Sequence, residues 1–257
     1  MIPEDVFEIG GIRFTGGAGS HGFTLEEGGI VGWDDSPSVR FDAVEREHGD
    51  GDFDLNEVLY NARLLTLSGL CHARSSEELG VFRNRLTGLP SKGLKVTGTT
   101  FGTTTFADGS TIAAASKFEV VVPGRLARYQ LSRRFSNPRR YGRLNPVAAA
   151  GGDTAKVMHY GNAPASPVIV TSGDDGNGYV LNGPGGRTIE VTIPLVSGQP
   201  HSIDLATGQL SIAGVVRYGV FGSADMFTIP PGRTVDVSMT NTSSASRMTV
   251  NTFDTYI

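Results

Sequence analysis

The sequence predicts a mainly β protein built from two domains, and three observations support this prediction. Glycine is abundant, at 35 of 257 residues, whereas aromatic residues make up only 8%. Clusters of Gly, Pro, Asp and Asn separate short apolar runs from residue 156 onward, at intervals typical of a sandwich or jelly roll. A helical pattern occurs at one place only, residues 75–88. We therefore predict domains at 1–143 and 155–257, joined by a Pro- and Gly-containing linker at 144–154.

The first domain is organised around residues 33–69, which hold the single tryptophan and the densest acidic run. This stretch ends in the firmest predicted strand, Arg63–His72, where Leu65 and Leu67 are core candidates. Further strands are predicted at Val39–Val44 and Lys117–Val122. The Asp-Gly pair in 106–110 predicts a hairpin turn between two more strands.

The predicted helix follows Arg63–His72 directly. Ser75 and Glu78 form a capping box, in which the serine hydroxyl accepts from the backbone of the glutamate. Leu79, Phe82 and Leu86 then lie on one face, and Gly88 ends the helix. We expect this helix to cover one face of a sheet.

The second domain shows only strand patterns. They are predicted at Lys156–Tyr160, Val168–Ser172, Tyr179–Leu181, Arg187–Ile193, Gln209–Val216 and Thr234–Met239. Turn clusters such as those at 173–178 and 184–186 separate the strands. About 100 residues of this kind are enough for an independent fold.

Charge and cysteine content exclude several classes. The net charge of −4 argues against a general nucleic-acid binder, and the lone Cys71 excludes an intrachain disulfide. The N-terminus carries acids where a secretory signal needs basic residues. We therefore expect a protein made and kept in the cytoplasm, or one that leaves by a route other than secretion.

Motifs for catalysis and cofactors are missing or incomplete. No two histidines have zinc-ligand spacing, and there is no nucleophile elbow or Walker loop. Residues 17–22 fit a dinucleotide loop, but no helix follows. Residues 50–61 begin like a calcium loop, but Leu55 and Asn61 occupy the positions that need Gly and Glu. We expect no cofactor, no metal and no enzymatic activity.

Two segments of opposite charge are candidate functional surfaces. The acidic segment contains Glu45, Glu47, Asp50, Asp52, Asp54 and Glu57. The basic segment contains Arg125, Arg128, Arg133, Arg134, Arg139, Arg140 and Arg143, with no acid among them. An anion-binding patch is one interpretation of the arginines. The favoured one is that they pair with carboxylates of this chain or of a neighbour, because few aromatic residues are interleaved.

Several motifs, in order along the chain, carry a family resemblance. They are Asp35–Arg40, His48–Phe53, Ala62–Gly69, the Glu77–Leu86 helix, Asn137–Gly142, Tyr160–Ile169, Ile203–Gly208 and Ile229–Gly232. Together they resemble the distal tail proteins (Dit-like minor tail proteins) of long-tailed siphophages. Asn137 stands where the family usually has Asp. The agreement spans roughly residues 30–240, and the order and spacing make it specific although each motif alone is weak.

The resemblance implies a fold and a structural role. It implies an N-terminal β-sandwich with one helix that builds a ring of six, followed by a galectin-like, carbohydrate-binding-module-like β-sandwich outside the ring. It also implies a place at the tail tip of the virion. There the ring would join the tail tube protein to the tail-tip hub, the tape-measure protein and the receptor-binding proteins, while DNA passes through its lumen without specific binding.

The charged segments suggest two hypotheses within that role. The acidic segment could line the lumen, where repulsion keeps DNA from sticking. Alternatively it could pair with the arginines of the next subunit and close the ring through a heterologous contact. Under the second hypothesis, reversing Arg133 and Arg134 to Glu is expected to break the ring.

A non-catalytic carbohydrate-binding module that attaches to host surface polysaccharide is the rival interpretation. Such a site usually needs an exposed aromatic platform, for which the second domain offers Tyr179, Tyr218, Phe221 and Phe227. Core packing is the commoner use of such residues. A tail-tip enzyme is disfavoured by the missing catalytic motifs.

Overall fold

The computed structural model describes residues 5–17, 21–40, 46, 48, 50, 58–112 and 116–257. Their secondary structure is mainly β, which confirms the predicted fold class. The chain forms two compact units. One comprises Met1–Arg140 with Ile257, and the other comprises Tyr141–Tyr256.

Most strands of the first unit belong to one large sheet. In chain order its elements are β1 (Val6–Ile9), β2 (Ile12–Thr15), β3 (Gly22–Val31), β4 (Val39–Arg40), β5 (Leu59–Tyr60), β6 (Arg63–His72), α1 (Ser76–Thr87), β7 (Leu94–Thr100), β8 (Thr103–Ile112), β9 (Lys117–Val122) and β10 (Leu126–Phe135). Strands β4 and β5 form a separate two-stranded ribbon. The predicted strands at Arg63–His72 and Lys117–Val122 have the predicted bounds.

The large sheet of this unit closes on itself. Its order is β8-β7-β1-β2-β3-β6-β10, and β10 pairs again with β8. One edge of β10 is shared, since Leu126–Gln130 pairs with β9 whereas Arg133–Phe135 pairs with β8. The family resemblance implied a β-sandwich with one helix for this unit. In the described residues the sheet closes through β8 and β10, which leaves few unpaired strand edges.

The core of the first unit lies inside this closed sheet. Alternation along β6 buries Leu65 and Leu67, as predicted, because successive strand residues face opposite sides. Trp33 is fully buried. Its ring meets Phe7 edge-on at 5.3 Å and Phe135 at 6.3 Å between ring centroids.

Helix α1 confirms the predicted capping signal. The backbone N–H of Glu78 donates to the hydroxyl of Ser75, and the glutamate side chain reaches back to the backbone N–H of Arg74 at 2.6 Å. Leu86 is fully buried, and Phe82 packs edge-on against Phe23 with ring centroids 5.5 Å apart. The helix therefore covers part of the sheet through its predicted apolar face.

The predicted hairpin turn at Asp108-Gly109 is wrong. Both residues lie inside β8, where the register shifts between the pairs Leu94↔Ser110 and Val96↔Ala107. The extra residue is accommodated by a β-bulge, for which Gly109 supplies a positive φ of 74°. The reversal between β7 and β8 is instead made by Phe101 and Gly102.

The second unit contains the remaining strands. They are β11 (Arg140–Ala150), β12 (Thr154–Val157), β13 (Val168–Ser172), β14 (Tyr179–Asn182), β15 (Thr188–Val191), β16 (His201–Asp204), β17 (Gln209–Ile212), β18 (Val215–Arg217), β19 (Phe221–Ala224), β20 (Val235–Thr240) and β21 (Arg247–Tyr256), with a 3-10 turn at Pro184–Gly186. One sheet has the order β18-β17-β16-β13-β21-β11, and the other has the order β12-β20-β14-β15-β19. Buried residues of both sheets form one apolar core.

Strand β21 was not predicted, and the predicted linker is largely strand. Residues 144–150 continue β11, and Thr154 begins β12. Strand β21 buries Thr252 and Asp254 on the same side as Met248, which hides the apolar alternation. The Asp254 carboxylate accepts from Asn145 at 2.8 Å and from the backbone N–H of Tyr160 at 2.7 Å.

Candidate functional site

A buried arginine holds the centre of the first unit. Arg63, at the start of β6, is only 2% exposed. Its Nη1 donates to the carbonyls of Gly32, Trp33 and Asp35 at 2.7–2.9 Å, and its Nε donates to the carbonyl of Pro138 at 2.8 Å. One guanidinium therefore ties the segment around Trp33 to the segment that follows β10.

Asp34 provides the neighbouring carboxylate. It accepts from Arg140 Nη1 at 2.8 Å and from the Thr100 hydroxyl at 3.1 Å. The Arg140 guanidinium also lies over the Trp33 ring, 5.5 Å from its centroid. The ion pair is partly sheltered, because the Arg140 side chain is 10% exposed and that of Asp34 is 36% exposed.

Burial, together with the nearby charge of Arg140, lowers the pKa of Arg63 to about 10. The carboxylates of Asp34 and Asp35 oppose this shift. The guanidinium therefore remains a cation at neutral pH, and its role is structural rather than acid–base chemistry.

An open acidic cleft of about 780 Å³ lies beside this arginine cluster. It is lined by Asp5, Gly16, Gly17, Leu25, Glu26, Glu27, Gly28, Gly29, Ile30, Asp34, Asp35, Thr100 and Phe101. Glu26 and Glu27 lie within β3 at an irregularity, where the pairing with β6 skips from Leu25 to Ile30. Sequence reasoning missed this cleft. The signal that could have found it is the pair of acids followed by Gly28-Gly29, which is typical of an interrupted strand.

The predicted acidic segment falls almost entirely outside the residues that the structure describes. Among Glu45, Glu47, Asp50, Asp52, Asp54 and Glu57, only Asp50 is described. The hypotheses that place this segment in a lumen or against a neighbouring subunit therefore stay predictions.

The structure separates the predicted basic segment into internal and exposed arginines. Arg125, Arg128, Arg134, Arg139 and Arg143 are exposed. Arg140 pairs with Asp34, and Arg133 is fully buried, with its Nη1 donating to the carbonyl of Pro90 at 3.2 Å. Burial lowers the pKa of Arg133. Reversing Arg133 would destabilise the subunit itself, so only the exposed arginines can test a contact between subunits.

Two apolar features of the first unit face solvent. Phe101, at the tip of the β7–β8 hairpin, is 84% exposed. Strand β9 ends in Val120, Val121 and Val122, which are 53%, 51% and 44% exposed. Side chains of this size on an edge strand and a hairpin tip are typical of surfaces that a partner covers.

In the second unit, the structure leaves one of the four predicted platform aromatics fully in solvent. Tyr179 and Phe227 are buried, Phe221 is half-buried, and Tyr218 is 84% exposed. Tyr160, which was not among the predicted platform residues, is 70% exposed.

A buried polar chain lies within the second unit. The Thr171 hydroxyl donates to the Tyr179 oxygen at 2.7 Å, and the Tyr179 oxygen lies 3.1 Å from His201 Nδ1. Burial raises the pKa of Tyr179 and lowers the pKa of His201. Since Thr171 and His201 are both buried, these hydrogen-bonded side chains serve packing of the core rather than contact with a ligand.

Within the described ranges, no group of three or more His, Cys, Asp or Glu side chains is placed to hold a metal ion. The described helices include none that is long and apolar enough to span a membrane.

Comparison with solved structures identifies the fold. No family model and no curated protein sequence matches the chain. The crystal structure of the Dit protein of phage SPP1 is similar over 98% of this chain and 99% of its own, with a TM-score of 0.73 and 12% identity. The chain has a Dit-like fold.

Two structures of the phage P2 baseplate in its activated conformation contain chains that share this fold. With Ca, the match covers 96% of this chain and 97% of the baseplate chain, with a TM-score of 0.53 and 10% identity. With Sr, the TM-score is 0.51 at the same coverage and identity. The Dit-like fold agrees with the resemblance found in the sequence motifs.

Proposed function

We propose that this protein is a structural component of a bacteriophage tail tip. On this proposal, six copies form a ring that joins the tail tube to the tail-tip hub, and DNA passes through its lumen. The observation that carries the proposal is the full-length match to the Dit protein of phage SPP1. That protein is a paradigm of the hub adsorption apparatus in phages that infect Gram-positive bacteria.

The baseplate structures support the same location. Chains with the Dit-like fold occur in the phage P2 baseplate. The proposed partners are the tail tube protein, the tape-measure protein, the hub and the receptor-binding proteins. No enzymatic role is proposed, since the neighbours belong to adsorption and baseplate structures.

The distribution of charge is compatible with a passage for DNA. The net charge is −4, and the acidic cleft adds carboxylates to one surface of the first unit. Acidic surfaces repel the phosphate backbone, so DNA could move past without specific binding.

The native mass of the full-length protein tests the ring. We expect light scattering to give a mass near six chains at high concentration, and electron microscopy of the same sample to show rings with a central opening. Measurements across protein concentration and salt separate a ring from loose aggregates, which have no fixed mass. A mass of one chain at every concentration would contradict self-assembly and favour the rival interpretation.

The rival function is binding of host surface polysaccharide by the second unit, and the exposure of Tyr218 favours it. A tyrosine ring in solvent can stack on a sugar. The test is titration of the full-length protein with purified host cell-wall polysaccharide. Binding that is lost in Tyr218→Ala and retained in Tyr160→Ala would support it. An unchanged Tyr218→Ala titration would exclude this platform.

A further inference from the structure

We propose that the first unit carries both halves of a contact between copies of this chain. The Phe101 tip of the β7–β8 hairpin on one copy packs against the free edge of strand β9 on the next copy. This inference rests on the proposed ring and names the surfaces that would close it.

The Phe101 tip has an unfavourable local conformation. Phe101 has a φ of 50° and Gly102 a φ of 75°, so both lie in the left-handed region. Glycine and asparagine are common at such turn positions, whereas a bulky aromatic residue is an outlier. The side chain is also 84% exposed, so packing inside the subunit does not explain it. A contact between Phe101 and another protein chain explains why a strained aromatic side chain is kept in solvent.

Strand β9 provides the complementary apolar surface. In the described part of the chain it pairs only with β10, so its other edge is open. Paired residues of neighbouring strands point to the same face, and Phe23, Cys71, Ala127 and Val120 form one such row. The first three are buried, whereas Val120 is 53% exposed. The core row therefore ends at an uncovered valine on an unpaired edge, where another chain can add.

The charges beside the two surfaces have opposite signs. Phe101 lies at the acidic cleft that contains Glu26 and Glu27. Lys117, Arg125 and Arg128 are exposed on and beside β9, and Glu119, the register partner of Arg128, offsets only one of these charges. Every copy carries both surfaces, and their flanking charges are complementary. The partner that fits β9 is therefore a second copy of this chain. Two different surfaces on one subunit make a heterologous contact, which can close into a ring.

The test removes the aromatic side chain without straining the turn. Phe101→Gly keeps the positive φ with a residue that adopts it freely, so the subunit should unfold at the same temperature or higher. We expect assembly to require about tenfold higher protein concentration or more, because exposed aromatic anchors often dominate an interface. Light scattering across a dilution series measures this shift.

The chain offers a matched control in a second hairpin turn. Ala213 and Gly214, between β17 and β18, have φ values of 49° and 79°, close to those of Phe101 and Gly102. Ala213→Gly makes the same change in backbone freedom at an exposed position of the second unit, and we expect it to leave assembly unchanged.

Mixing two variants tests the pairing itself. Val121 lies where the β9–β10 register shifts, so Val121→Asp can change the edge without altering a core pair. Each variant alone should fail to form rings at the protein concentration at which the wild type assembles. An equal mixture should form dimers, because Phe101→Gly retains an intact β9 and Val121→Asp retains an intact tip. A mixture that contains only single chains would contradict the pairing.

The outcomes distinguish this contact from the ring. A wild-type protein that remains a single chain contradicts the proposed ring. A wild-type ring that Phe101→Gly leaves intact across dilution contradicts only the contact between Phe101 and β9. High salt should weaken the contact, because the flanking charges attract each other less when screened.

Discussion

Among single residues, Arg63 links two separate segments of the first unit through its buried side chain. Its guanidinium donates to four backbone carbonyls that come from two separate segments of the chain. Only a planar group with several donors can satisfy so many acceptors from one position. The same residue begins the strand that the sequence predicts most firmly.

Arg63→Lys should destabilise the first unit although it keeps the charge. A lysine ammonium cannot reach all four carbonyls, so buried acceptors are left unpaired, at a cost of about 3 kcal/mol or more. Denaturant unfolding followed by the fluorescence of Trp33 measures the change, because Trp33 is the only tryptophan.

The matched control for this substitution is Arg128→Lys, an exposed arginine on β10. Its free energy of unfolding should stay within about 0.5 kcal/mol of the wild type. Equal effects of the two substitutions would contradict a special role for Arg63.

Cys71 should be chemically inert in the folded protein. It is fully buried, and burial, together with the charge of Glu78, raises the pKa of its thiol to about 12. The reactive thiolate is therefore scarce at neutral pH. We expect iodoacetamide at pH 8 to label the unfolded chain readily and the native protein only through rare opening. Native labelling at the rate of the unfolded chain would show that Cys71 is accessible.

At the scale of elements, the strand β7 fits its neighbours only because Gly98 has no side chain. A Cβ at this position would lie 2.6 Å from Phe7 Cε1 and 2.8 Å from Trp33 Cε2. Gly98→Ala should therefore cost about 1–3 kcal/mol through overpacking, and it should shift the Trp33 emission. Denaturant unfolding measures the loss of stability, and the fluorescence spectrum of the folded variant measures the emission shift.

Gly80→Ala is the opposite control. Gly80 lies in α1, and nothing lies within 4 Å of the place where its Cβ would be. Alanine in a helix is favoured over glycine, so this variant should gain about 0.5–1 kcal/mol. If Gly80→Ala lost stability as Gly98→Ala does, the space around the Cβ would not explain the effect.

At the scale of the whole molecule, the two units should respond differently to acid. Burial lowers the pKa of His201 in the second unit, so the unfolded chain binds a proton more readily than the folded one. The stability that neutral His201 contributes is present above the unfolded pKa of about 6.5 and is lost as the pH falls below that value. We expect the second unit to lose stability between neutral pH and pH 5.

Two probes separate the units in this experiment. Trp33 fluorescence follows the first unit alone, and far-UV circular dichroism follows both, since the single tryptophan lies in the first unit. His201→Gln removes the titrating group and should flatten the pH dependence of the second transition. A pH dependence that persists in this variant would assign it to other groups.

The fold class and the best-patterned elements could be predicted from the sequence. Strand β6 and helix α1 could be predicted because their signals are local: the alternation of Leu65 and Leu67, the Ser75 cap and the Leu79–Leu86 face. Ordered motifs also indicated the Dit-like fold that structural comparison then identified. Such signals need only neighbours a few residues apart, so one sequence is enough to show them.

The contacts between residues far apart in the sequence could not be predicted and are seen first in the three-dimensional fold. Closure of the sheet through β8 and β10, the bulge at Gly109 and the cleft around Glu26 depend on strand pairing between distant segments. The burial of Arg133 and the exposure of Arg128 on one strand likewise follow from which face meets the core. Periodicity alone cannot predict which arginine is buried. The charge of an arginine predicts exposure, but a backbone carbonyl within hydrogen-bond distance permits burial.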